Sequence, residues 1–217
     1  MAFALIAHDG TDDGAASRRA AVRQRHLDLI TGMAEDGRLA LGAPLFDAGG
    51  RVAGSLMMLA GDDRSVVDRY LADEPFATEG VWVGHEVHPF RIAPLPYRPL
   101  AVPGAPPPAE RTHTVIIAWD GKDEAALARR MAVREAHMAR VGPQAESGML
   151  AFGGAILDEA GKMVGSIAVI RAADDAAARA WMADDPYVTG DVWRDVALYG
   201  TRFAGLPYRP LPGAASG

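Results

Sequence analysis

The chain has 217 residues, and its 22 Lys and Arg stand against 28 Asp and Glu, a formal charge of −6. With 49% hydrophobic and 23% charged residues it is composed like a folded globular protein, and its acidity argues against non-specific nucleic-acid binding, which needs Lys and Arg to neutralise phosphates. It contains no cysteine, so disulfides, thiolate metal sites and cysteine nucleophiles are excluded.

The opening MAFALIAHDG has no basic segment before its apolar run, which stops at His8 and Asp9. Residues 3–8 are short, apolar and rich in strand formers, which predicts a first strand. From about residue 15 to 35 the apolar residues Val22, Leu29, Ile30 and Met33 recur at spacings of three, four and seven with charges between them, an amphipathic helix ending at Gly37. Two apolar runs, 38–46 and 51–59, flank the turn signal DAGG and predict a hairpin. Residues 62–73 predict a second helix that stops before Glu74 and Pro75, because the residue before a proline is driven out of the helical region. Residues 81–92, with Trp82 near the start, complete the order βαββαβ.

That order then repeats. Residues 3–100 align with 114–211 at a constant offset of 111 without a gap, and about 37 of the 98 pairs are identical. AHDG matches AWDG, RRAAVRQRH matches ARRMAVREAH, and LPYRPL recurs unchanged. The division this implies is a first repeat over 1–100, a second over 112–211, a proline-rich linker over 101–111 expected to be extended, and a disordered tail over 212–217. The expected architecture is α+β: two ferredoxin-like βαββαβ repeats packed sheet to sheet within one chain as a pseudo-dimeric α+β barrel. Further pairing into a homodimer stays open.

The repeats share more polar residues than a scaffold needs. His26 and His137 follow Val22 and Val133 by four residues and so turn toward the sheet, either as hydrogen-bonded core residues or as proton-transfer groups. Arg23 and Arg134, one helical turn earlier, are solvated charges or anion ligands. Asp9 and Asp120 close the first strands, as turn residues or as carboxylates that orient the imidazoles. Ser55 and Ser166 follow glycines that mark a bulge or a close approach to the backbone, where a hydroxyl could position a ligand. Glu74 and Asp185, each before a proline, add one carboxylate per repeat. Trp82, Trp193, Tyr97 and Tyr208 are read as packing the sheet ends and tail, with the lining of a pocket for a flat substrate as the alternative. His85 and His88 point to opposite faces of a strand and do not suit a metal. No phosphate loop, GxSxG elbow or HExxH motif occurs.

The run RRAAVRQRHL, GRLALGAPL, GSLMML, ADEPF, with its counterparts AVREAHM, GMLAFGGAI, GSIAVI and ADDPY, resembles the YCII-related family over nearly the whole of both repeats. The resemblance implies a ferredoxin-like fold related to dimeric α+β barrels, a pocket beside the sheet, and a His/Asp centre. It places the family histidine on His26 and His137, its strand-end aspartate on Asp9 and Asp120, its Gly-Ser on Ser55 and Ser166, and its Asp-Pro on Asp185. Copy one departs with Glu74 before its proline, and copy two has Ala155 where copy one has Pro44. One activity the family implies is dehydrochlorination of a chlorinated hydroxyquinol.

The expected function is a cytoplasmic lyase or isomerase of dehydrochlorinase or dehydratase type, working without cofactor or metal on a small oxygenated, aromatic or quinone-like substrate. His26 or His137 would move the proton with Asp9 or Asp120 in support, and Arg23, Arg134, Ser55, Ser166, Glu74 and Asp185 would hold the substrate. Neither nucleic acid nor membrane is an expected partner. The alternative is a non-catalytic small-molecule-binding or accessory module.

Overall fold

A computed structural model describes residues 1–214 and gives each repeat one βαββαβ run. In the first, β1 (Ala2–Asp9), α1 (Ala15–Asp36), β2 (Leu39–Phe46), β3 (Val52–Ala60), α2 (Ser65–Asp73), α3 (Pro75–Thr78) and β4 (Trp82–Ile92) follow in order. In the second come β5 (His113–Asp120), α4 (Ala126–Ser147), β6 (Leu150–Leu157), β7 (Met163–Ile170), α5 (Asp175–Ala183), α6 (Pro186–Thr189) and β8 (Trp193–Thr201). The long helices stop where the sequence predicts, with Gly37 and Gly148 in the left-handed conformation at φ 88° and 80°. The four-residue helices α3 and α6 are additions to the sequence reading. Glu74 and Asp185 cap them, each accepting a hydrogen bond from the amide two residues on.

The chain divides into two compact units whose boundaries differ from those of the repeats. Unit 1 comprises Met1–His88, Ala101–Pro108 and Arg202–Arg209; unit 2 comprises Pro89–Leu100, Ala109–Thr201 and Pro210–Gly217. Each unit therefore contains the LPYR motif that ends the other repeat's sequence. In unit 1 the Tyr208 hydroxyl donates to the Gly42 carbonyl, and Arg209 Nε donates to the Glu35 carbonyl. In unit 2 the Tyr97 hydroxyl donates to the Gly153 carbonyl, and Arg98 Nε to Glu146. The segment read as a spacer is bonded too, since the Gly104 amide donates to the Gly205 carbonyl and Arg202 donates to Pro108. In the expected disordered tail, the Ala214 amide closes a turn on the Leu211 carbonyl, while 215–217 lie outside the described residues.

Within unit 1, β1 runs antiparallel to β3, which runs antiparallel to β2; in unit 2, β5 lies between β7 and β8 and β7 pairs with β6. Phe3, Leu5, Ala7, Met57 and Leu59 lie in a cluster with Val22, Ile30 and Met33 of α1 and Val67 and Tyr70 of α2. Ala2, Ala4 and Ile6 are buried as well, so both faces of β1 are covered, which explains its unbroken apolar run.

The strand glycines mark a close approach of backbone to backbone. A Cβ on Gly54 would lie 1.9 Å from the Ala7 carbonyl oxygen, and one on Gly165 would lie 2.6 Å from that of Ala118. Gly54→Ala is therefore expected to cost at least about 2 kcal/mol, and Gly165→Ala less, measured by urea unfolding.

At the start of β5, burial lowers the pKa of His113 to about 4, with the charge of Arg171 acting in the same direction. The unfolded chain binds this proton near pH 6.5 and the folded chain does not, so stability falls as the pH drops from about 6.5 toward 4. The ring is partly exposed, so the expected loss is about 1–2 kcal/mol. His113→Gln should flatten that part of the pH profile of the unfolding midpoint; a profile unchanged by it would assign the acid loss to other groups.

Candidate functional site

Each unit carries the same constellation at corresponding positions. In unit 1, Asp9 ends β1 and Arg19 lies in the second turn of α1, and both Asp9 carboxylate oxygens lie 2.8 Å from Arg19 Nη1. Arg19 Nη2 donates to Ser55 Oγ at 3.0 Å. In unit 2, Arg130 Nη1 donates to both oxygens of Asp120 at 2.8 and 2.9 Å, and Nη2 donates to Ser166 Oγ at 2.8 Å. Burial pushes both aspartates above the ordinary carboxylate range, and the paired arginines pull back in the opposite direction.

The histidines sit seven residues further along the same helix faces, two turns from those arginines. His26 Nδ1 lies 2.8 Å from Glu74 Oε1, and His137 Nδ1 lies 2.8 Å from Asp185 Oδ1. The same carboxylate oxygens accept the Phe76 and Tyr187 amides at 2.9 Å, so the helix cap also fixes the imidazole. With Nδ1 directed at a carboxylate, Nε2 is the basic nitrogen of the neutral ring, and it makes no hydrogen bond among the described residues.

This arrangement corrects the sequence expectation that Asp9 and Asp120 orient the histidines. They hold Arg19 and Arg130, and the orienting carboxylates are Glu74 and Asp185, which the sequence reading placed among the substrate ligands. Arg23 and Arg134 line the cavities beside the histidines, as do Ser55 and Ser166. Arg19 and Arg130 went unassigned, although the repeated Arg-Arg pair and the seven-residue spacing to the histidine were visible signals. So did Phe76 and Tyr187, whose rings stack on the imidazoles at centroid distances of 4.0 and 3.8 Å, with the arginines 4.2 and 4.4 Å from the same rings.

The two sites are unequal. The cavity beside His137 holds about 310 Å³ and that beside His26 about 120 Å³. Where unit 2 has Gly154, Ala155 and Ala168 in its lining, unit 1 has Ala43, Pro44 and Met57. In unit 2 Arg140 Nη1 donates to Asp185 Oδ2 at 2.9 Å, and its guanidinium lies over Trp181. Leu29 holds the corresponding place in unit 1, where the buried Tyr70 hydroxyl rather than a guanidinium interacts with Glu74, and Trp82 Nε1 is buried without a hydrogen-bond partner among the described residues. Trp193 Nε1, the counterpart of the last, donates to Ser166 Oγ at 3.2 Å. Tyr187 adds a hydroxyl to the larger cavity where unit 1 has Phe76. Burial raises its pKa, so it stays protonated at neutral pH.

Among the described residues, no group of His, Asp and Glu could hold a metal ion, and no helix is long and apolar enough to cross a membrane.

A two-repeat α+β chain with a carboxylate-bound histidine in each repeat is the class that fold and site define. The YCII-related domain model matches residues 1–91 and 114–202, and the chain belongs to the YCII-related family. No curated protein matches it. Among solved structures, it is similar to a candidate monooxygenase from Lactobacillus acidophilus NCFM, at 12% identity, TM-score 0.57 and 93% coverage of both chains. It is also similar to chlorite dismutase from Candidatus Nitrospira defluvii, at 14% identity, TM-score 0.54, and 94% and 91% coverage. A third match is the 5-chloro-2-hydroxyhydroquinone dehydrochlorinase TftG from Burkholderia phenoliruptrix AC1100, at 17% identity and TM-score 0.37, covering 43% of this chain and 96% of the other. The first two likenesses show the fold, two βαββαβ repeats of the α+β class to which dimeric α+β barrels belong.

Proposed function

We propose that unit 2 is a proton-transfer site of lyase or isomerase type for a small oxygenated organic molecule. The observation that carries this reading is the chain Arg140–Asp185–His137, which leaves Nε2 of an oriented imidazole unbonded in a ring that lines a 310 Å³ cavity. His137 Nε2 takes a proton from a carbon beside a carbonyl, or from a phenol. The pair from a broken C–H bond moves onto the carbonyl oxygen, or forms a C=C bond as chloride leaves the neighbouring carbon, whereas the pair from a phenol O–H stays on oxygen as phenolate. The imidazolium proton then returns to the product carbon or passes to solvent. Asp185 stabilises the imidazolium, and Arg140 holds that buried carboxylate in place. Ser166 Oγ already accepts from Arg130 and Trp193, so its own proton is left to donate to the developing oxyanion, with the Tyr187 hydroxyl as a second donor.

Unit 1 supports a different reading, a binding or packing role. Its cavity is less than half the size and lacks the tyrosine hydroxyl and the arginine behind the carboxylate.

The test is incubation with hydroxylated and chlorinated hydroquinones and with 2-hydroxy ketones in deuterium oxide. Chloride release and deuterium incorporation are followed by NMR, together with the imidazole resonances from pH 5 to 8. Conversion or exchange that is lost in His137→Gln supports the reading. A full panel that is neither converted nor exchanged, with His137 resonances unmoved by every compound, removes it.

A further inference from the structure

The larger cavity has an electrostatic character opposite to that of the chain that contains it. The protein carries a formal charge of −6, yet among the described residues the lining of the unit 2 cavity has three arginines, one histidine and no carboxylate. Arg130 is neutralised by Asp120. The guanidiniums of the other two, Arg91 and Arg134, make no ion pair and no hydrogen bond among the described residues, and both residues are exposed. The remaining wall is apolar, with Met131, Met138, Met163, Ile167, Trp181 and Trp193 as its larger surfaces.

The corresponding place in unit 1 shows what an occupied guanidinium looks like. Arg202, the counterpart of Arg91, donates to the Pro108 carbonyl and lies over the Phe46 ring at 5.3 Å. In unit 2, Leu157 replaces that ring, and the Arg91 guanidinium is left without a partner among the described residues. Two unpaired guanidiniums on the lining of one cavity match a planar oxyanion, which the rigid fork of arginine engages through paired N–H donors. Thioether and indole walls suit a flat ring.

We infer that the unit 2 cavity binds an aromatic carboxylate, its ring against the methionine and tryptophan wall and its carboxylate between Arg91 and Arg134. The inference deepens the reading of that site as a proton-transfer centre by naming its ligand class, and Arg91 becomes a specificity-determining residue contributed by the first repeat's sequence to the second repeat's site. Held in this way, a ring bearing a hydroxyl would present it toward His137 and Ser166.

The experiment is calorimetric titration of the full chain with 2-naphthoate, 2-naphthamide and inorganic phosphate. Naphthoate should bind at least about tenfold more tightly than the neutral amide, which has the same shape, and more tightly than phosphate, which has no ring. Arg91→Gln and Arg134→Gln should each weaken naphthoate binding about tenfold and leave the amide unchanged. Arg179→Gln, a surface charge outside the cavity lining, should have no effect on either. Equal affinity for amide and carboxylate, phosphate binding as tight as naphthoate, or indifference to both arginine substitutions would overturn the inference. His137→Gln separates the two claims: naphthoate binding retained there, with no turnover by the wild type, leaves the ligand class standing and removes the activity.

Discussion

Replacing His137 with glutamine should slow proton transfer by about 10²- to 10⁴-fold, while His26→Gln changes the rate by less than about threefold. Glutamine retains a side-chain amide that can donate to Asp185 but offers no nitrogen basic enough to accept a proton, so the substitution removes the chemistry and preserves the contact. The asymmetry follows from what stands behind each ring. Asp185 has its second oxygen held by Arg140, whereas Glu74 has no arginine on it among the described residues and interacts instead with the uncharged Tyr70 hydroxyl. An oriented, fully satisfied carboxylate keeps the imidazole in one tautomer throughout a turnover. The cavities differ in the same sense, with about 310 Å³ beside His137 and 120 Å³ beside His26. The measurement is single-turnover deuterium exchange for each variant and for the pair. Equal losses from the two single substitutions would mean that both units work, and a loss confined to His26→Gln would move the active site to unit 1. Thermal midpoints recorded alongside distinguish lost chemistry from lost folding, since a structural histidine would lower both.

Much of this fold was legible because it is written twice. The period of Val22, Ile30 and Met33 locates α1, and the constant offset of 111 locates α4 from it without independent evidence for a helix. The pre-proline positions of Glu74 and Asp185 correctly end α2 and α5. A four-residue helix carries too little periodicity to be read, so the caps of α3 and α6 were not visible, nor was the contact through which each cap also holds an imidazole. His26 and Glu74 are 48 residues apart, and no spacing rule links a helix to a loop at that separation. Asp9 was the more evident partner, since it closes the strand before the helix. The structure pairs it instead with Arg19, because a guanidinium in the second turn of α1 reaches the end of β1 and Ser55 together. Self-comparison could find two copies of LPYR but could not assign each to the other unit, since identical motifs dock equally well on either by sequence.

Asp120→Ala should destabilise the protein by about 3–5 kcal/mol, the largest loss expected from any single polar substitution here. The side chains of Asp120 and Arg130 are each 3% exposed, so truncating the aspartate leaves a guanidinium in the interior with its countercharge gone. Arg130 would keep only its bond to Ser166 and its place over the Tyr187 ring, and Nε is already without a partner. The equivalent substitution Asp9→Ala should cost less, because the Arg19 side chain is 14% exposed and water can reach it. The decisive comparison is the double variant Asp120→Ala with Arg130→Met, which removes both charges and retains most of the volume. Recovery of at least half the loss is expected, since the penalty comes from an uncompensated buried charge rather than from the pair's own attraction. Urea unfolding of the four proteins in the cycle gives the coupling directly. Additive losses would show that Asp120 and Arg130 stabilise unit 2 through separate contacts, and the pair could then no longer be treated as one electrostatic unit beneath the Tyr187 and His137 rings.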